Sequence, residues 1–123
     1  MNVRTLLHNG TLGVLALFFI AAGISHFLGM GKFFVSIVPK GLPSPQLIVQ
    51  LTGVLEVLGG VGLLIPATRT VTGICLIVFL IAVFPANIEA ARMHLPYSNP
   101  LWLRALAQVV LIGMIAWAAL IEK

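Results

Sequence analysis

Three stretches of this chain contain no residue that is charged at neutral pH, setting histidine aside, and each is about long enough to cross a lipid bilayer. No Asp, Glu, Lys or Arg occurs between Arg4 and Lys32, between Arg69 and Glu89, or between Arg104 and Glu122. A helix needs about 20 mostly apolar residues to cross roughly 30 Å of hydrocarbon. A fourth stretch, residues 47–65, meets that requirement except for Glu56. Four such helices use nearly all of the 123 residues and leave no room for a water-facing domain. Composition agrees, because only 8% of the residues are charged whereas a soluble domain carries roughly 25%.

The expected fold is all-α, a transmembrane four-helix bundle in one domain, with spans at residues 11–28, 45–65, 70–89 and 101–121. An even number of spans puts both termini on the same side. The net charge of +4 does not point to nucleic acid, since the seven basic residues are scattered over ends and loops rather than gathered in a patch. At membrane-protein loops such residues act as headgroup anchors and topology markers. They divide almost evenly between the two sides and leave the orientation open. Arg4 followed by an apolar run resembles a secretory signal, but the run has no small-x-small site leading into polar sequence, so a retained first helix is expected. Asn9-Gly10 reads as a helix-start or turn signal. Cys75, the single cysteine, falls in an apolar run and reads as a buried, inert thiol.

The punctuation between spans is clear. Gly29-Met30-Gly31 ends the first, and Pro45 suits the first turn of the second. Pro66 to Thr70 is so short a link that the second and third helices must be antiparallel neighbours. The segment from Lys32 to Ser44 allows two readings: a short amphipathic helix in the interface, or an extended loop folded back over the bundle. Pro85 interrupts the third helix near its end and takes one backbone donor away. Trp102, Trp117 and Tyr97 fit an aromatic belt.

Several polar residues lie where the hydrocarbon should be. An ionisable side chain there costs several kcal/mol, which makes it a functional candidate by default. Glu56 lies about ten residues into the second helix, hence about 15 Å from its end. Two readings compete for it: a neutral acid that fixes helix packing, and a carboxyl that exchanges protons or binds a ligand. Thr52, Gly53, Gly59 and Gly60 share its helix face, and glycines on such a face admit a close neighbour. His26 lies at the end of the first helix, after Ala22 and Gly23. Asn87 follows Pro85 late in the third. Arg104 and Gln108, four apart, share a face at the start of the fourth, roughly 5 and 10 Å deep.

His26 and Asn87 end their helices on one side, and Arg104 and Gln108 begin theirs there. With Glu56 deeper on a helix that also starts from that side, all five can line one cavity. A charge pair between Arg104 and Glu56 would lower the cost of both. Glu89 and Arg92, three apart, read as a solvated helical pair. There is no metal motif, nucleophile elbow, phosphate loop or dinucleotide fingerprint.

The runs Ala22-Gly23-Ile24-Ser25-His26-Phe27 and Ile37-Val38-Pro39 resemble the first half of DoxX-like membrane proteins. Thr52-Gly53-Val54-Leu55-Glu56-Val57-Leu58-Gly59-Gly60, then Leu63-Leu64-Ile65-Pro66 and Arg69, continue the likeness. Phe84-Pro85-Ala86-Asn87 and Leu103-Arg104 with Gln108 complete it over nearly the whole chain. That resemblance implies a four-helix membrane protein of a bacterial inner membrane. It also implies kinship with a small subunit of a thiosulfate:quinone oxidoreductase associated with a terminal quinol oxidase. Some relatives act in thiol redox or membrane-protein assembly. Cys75 is alone here, unlike in members that rely on cysteine pairs, and a complete thiosulfate enzyme would need a partner.

The leading functional expectation is a redox-linked membrane subunit whose cavity binds a quinone-like or other small ligand. His26 and Glu56 would exchange protons, while Asn87, Arg104 and Gln108 orient the ligand. The alternatives are an assembly factor or accessory subunit of a larger complex, and a small-solute or proton-coupled transporter working as a homo-oligomer.

Overall fold

The computed structural model describes residues 2–28, 31–39, 41–92 and 101–122. All regular structure among the described residues is helical: α1 (Val3–Ser25), α2 (Gly31–Ser36), α3 (Pro45–Leu64), α4 (Arg69–Ala82), α5 (Phe84–Arg92) and α6 (Leu101–Ile115), which continues as a π-helical turn, Ala116–Ile121. Val3–Ser25, Pro45–Leu64, Arg69–Glu89 and Leu101–Ile121 are long and apolar enough to cross a membrane. The chain is a multi-pass, four-helix membrane protein on that basis.

The first helix begins earlier than the sequence pattern indicates. The side chain of Asn2 accepts the Thr5 N–H at 2.8 Å, one of the donors a helix start leaves without a partner. Asn9-Gly10 is therefore mid-helix and not a turn. A capped start upstream wins over a weak break signal. At the other end, His26, Phe27 and Leu28 each bond to the carbonyl three residues back, at 3.2, 3.0 and 3.2 Å, so the chain tightens as it leaves the helix.

α1 lies along α3, which packs on α4, and α4 packs on α6 and the π turn. Small residues set the α1–α3 approach. A Cβ on Gly60 would meet the Ala16 carbonyl oxygen at 2.7 Å, and one on Gly23 would run into the carbonyl of Gly53. Phe19, Leu15, Leu63 and Ile115 are fully buried between the helices.

The outside of the bundle is apolar: Leu17, Leu58, Val78 and Val109 are all more than half exposed. Such faces suit lipid. They also correct the reading of Cys75, which is exposed on this outer surface. An apolar run in a membrane span need not face protein, because lipid is as apolar as the core.

The segment after α1 starts as a single short helix, α2, which packs against α3, and Ile37 just beyond it is buried. The third span is broken at Val83 into α4 and α5. Pro85 falls in the first turn of α5, where its missing N–H costs nothing. The expectations for Lys40, His94, Tyr97 and the loop 95–100, and for the side chain of Arg92, lie outside the described residues.

One end of the bundle is closed by side chains that take up free carbonyls. Arg69 Nε donates to Leu63 O at 2.7 Å and Thr68 Oγ1 to Gly62 O at 2.9 Å, which caps α3. In the π turn, Glu122 N–H reaches Trp117 O at 2.8 Å. Ala118 O accepts His8 Nε2–H at 2.7 Å, and Ala119 O accepts the Thr70 hydroxyl at 3.3 Å. Arg4 and Glu122 form an ion pair at 2.7 Å, so the two ends of the chain meet at this end of the bundle.

Candidate functional site

At the opposite end lies a cavity of about 490 Å³. His26, Glu56, Asn87, Arg104 and Gln108 all line it, each brought from its own place in α1, α3, α5 or α6. The walls are otherwise mainly apolar, with Phe18, Phe34, Ile37, Leu80 and Leu111 among them. That volume lies in the usual range for small-molecule sites, roughly 300–1,000 Å³, and apolar walls with a few placed polar groups are their common chemistry.

Two polar groups are organised around α3. The carbonyl of Val49 lies 3.1 Å from His26 Nδ1 and 3.0 Å from Thr52 Oγ1. A carbonyl can only accept, so both His26 Nδ1–H and the Thr52 hydroxyl donate to it. This fixes the imidazole tautomer and leaves Nε2 to face the rest of the site. Nε2 lies 3.4 Å from Glu56 Oε2. That is within reach of a charge contact but outside hydrogen-bond geometry, since Glu56 Oε2 is buried without a hydrogen-bond partner. The pair can hold one proton in two ways, as imidazole beside carboxylic acid or as imidazolium beside carboxylate. Both are neutral overall, which limits the cost of keeping the pair away from water.

The second pair belongs to α5 and α6. Arg104 Nη1 donates to Asn87 Oδ1 at 3.0 Å. The break at Val83 and the turn at Pro85 start α5 as a separate helix, which packs against α6. Gln108, one turn further along α6 than Arg104, is partly buried, and its Oε1 has no hydrogen-bond partner. The envisaged Arg104–Glu56 pair takes a different form. Glu56 faces His26, and Arg104 faces Asn87, because their depths in the bundle differ.

Sequence reasoning missed three contributors. Thr52 was legible as a residue on the Glu56 face, but not as the partner of Val49 O. Phe34 packs edge-on to His26 with ring centroids 4.1 Å apart, and comes from the segment whose course was open. The Val49 carbonyl is backbone and leaves no mark in a side-chain pattern. Among the described residues, no group of three or more His, Cys, Asp or Glu could hold a metal ion.

No curated protein and no solved structure matches the chain. A family model does match, over residues 15–122, a range that holds all five cavity-lining polar residues. The chain belongs to that family, described as a domain of unknown function, DUF8561.

Proposed function

We propose that this protein binds a small, lipophilic, quinone-like ligand within the membrane, as a redox-linked subunit akin to DoxX-like proteins of a bacterial inner membrane. One observation carries the reading: five polar side chains, from segments spread along the chain, line a single cavity whose walls are otherwise mainly apolar. Scattered packing polars would have no reason to converge. In this reading wall residues such as Phe18, Phe34 and Leu80 take the apolar body of the ligand, and the polar groups hold its substituents. In this reading His26 and Glu56 take up or release protons as the ligand changes redox state. Arg104, Asn87 and Gln108 orient it. Electrons, in the same reading, come from or go to a partner in a larger membrane complex.

The small-residue faces that favour an assembly-factor role are used inside the bundle. Gly23, Gly53 and Gly60 are occupied by the α1–α3 contact, so they offer a partner no docking surface. The test is calorimetric titration of the purified protein in detergent with a decyl-benzoquinone, repeated with Glu56→Gln. Saturable binding weakened by about tenfold in the variant is expected. The reading is lost if the quinone and its reduced form both fail to saturate a site, or if Glu56→Gln binds them as the parent does.

A further inference from the structure

We infer that the ligand of this cavity carries an apolar tail that leaves sideways, through the seam between α1 and α6, into the lipid. This rests on the proposed reading of the cavity as a ligand site. It adds the class of ligand, a polar ring on a long alkyl or isoprenoid chain, and the path by which it enters.

The seam between α1 and α6 is sealed at one end of the bundle and open at the other. At the sealed end, His8 of α1 donates to Ala118 O at 2.7 Å and its ring meets Trp117 edge-on. Ala118 is fully buried there. Leu111, Ala107 and Leu103 follow on α6 at one-turn spacing toward the cavity end, and all three line the cavity. Exposure rises along them: Leu111 is half-buried, Ala107 is exposed, and Leu103 is 37% exposed. On the facing helix, Ala16, Ile20 and Gly23 take the side that meets α3, and Phe18 lies on the other flank. Phe18 also lines the cavity and is 46% exposed. Phe18 and Ala107 each lie roughly 10 Å from the cavity end of their helices, at 1.5 Å per residue.

Lining a cavity does not by itself expose a residue. Ile37, Val49 and Leu80 line it too and are buried. The exposure of Phe18, Leu103 and Ala107 therefore marks an opening in the wall, with an exposed edge on both helices. It lies within two membrane spans. Leu42, before α3, is exposed at the cavity too, as are Ala82 and Pro85 in the third span, but none of the α3 residues that line it is exposed. The α1–α3 seam is shut by backbone contact at Gly23 and Gly53, and Arg104 Nη1 ties α6 to Asn87 of α5.

Lipid is as apolar as a protein interior, so an alkyl chain loses nothing by staying in it. A ligand seated this way sets its polar ring among His26, Glu56 and Gln108, and it reaches them without crossing water.

The experiment is calorimetric titration of the purified full chain, in one detergent, with a decyl-benzoquinone and with the same ring carrying methyl in place of decyl. What is read is the ratio of the two affinities, because partition into the micelle is then common to every variant. Ala107→Phe narrows the seam and should lower the preference for decyl by about tenfold, an overpacking cost of the usual size. Phe18→Trp narrows it from the other helix and should act in the same direction, which keeps the test open should Ala107→Phe not fold. Val109→Phe, on the outward face of α6, should leave the ratio as in the parent. A ratio that neither seam variant moves overturns the lateral path and leaves the cavity a ligand site. So does a fall seen with Ala82→Phe alone, which would send the tail out beside the third span. If neither ligand binds the parent, the inference and the proposed function fall together.

Discussion

A Cβ placed on Gly53 would lie 2.9 Å from the carbonyl oxygen of Gly23, so the backbones of α1 and α3 touch where both residues lack side chains. The contact lies one turn or less from His26 on one helix and from Thr52 and Glu56 on the other. It sets the spacing across which the imidazole reaches the Val49 carbonyl. Gly53→Ala must push against backbone and the Cβ of His26, also 2.9 Å away. A loss of about 1–3 kcal/mol is expected, the usual cost of overpacking a tight contact. Gly13→Ala, in α1 with nothing within 4 Å, should be neutral or stabilising by up to about 1 kcal/mol, since alanine favours helix. Thermal unfolding of both variants in one detergent is the comparison. Equal melting temperatures would mean that the helices do not approach this closely.

The two described histidines should carry their protons on opposite nitrogens. His26 donates through Nδ1 to Val49 O, and His8 donates through Nε2 to Ala118 O. Nitrogen-15 chemical shifts of histidine-labelled protein, assigned with His8→Gln and His26→Gln, distinguish the two tautomers. Finding His26 neutral with its proton on Nε2 would remove the backbone anchor from the site. The relation between His26 and Glu56 would then need another account.

The five polar residues were conspicuous because hydrocarbon makes each of them costly. Their convergence followed from counting which helix ends share a side. What the sequence hid was of two kinds. The anchor of His26 is a backbone carbonyl, and its aromatic neighbour Phe34 comes from a segment whose prolines allowed two courses. Hydropathy also cannot separate a face that meets lipid from one that meets protein, and for that reason Cys75 read as buried. The early start of α1 depends on one capping atom of Asn2, a signal outweighed in the sequence by the apparent break at Asn9-Gly10.

At the closed end, the buried contact should matter and the exposed one should not. His8→Leu leaves Ala118 O without its donor inside the bundle and removes an edge-to-face contact with Trp117 at 5.8 Å. A buried acceptor stripped of its partner costs about 1–3 kcal/mol. Arg4 is 76% exposed in its ion pair with Glu122, and water and salt screen pairs of that kind. Arg4→Ala should leave the melting temperature unchanged within error, while His8→Leu lowers it clearly. The reverse order would mean that the π turn is held by its terminal charges and not by His8.

Cys75 offers a direct test of the membrane arrangement. It is exposed on the bundle surface and lies within the span Arg69–Glu89. A charged maleimide labels only thiols that water brings it to, and lipid tails exclude it. In proteoliposomes, a sulfonated maleimide should therefore label Cys75 very slowly, and denaturation in SDS should make labelling fast. An engineered Glu122→Cys at the chain's end should label promptly without denaturant, which shows that the reagent is competent. Prompt labelling of Cys75 in intact proteoliposomes would place α4 against water, and the apolar exterior of the bundle would then have to be covered by something other than lipid.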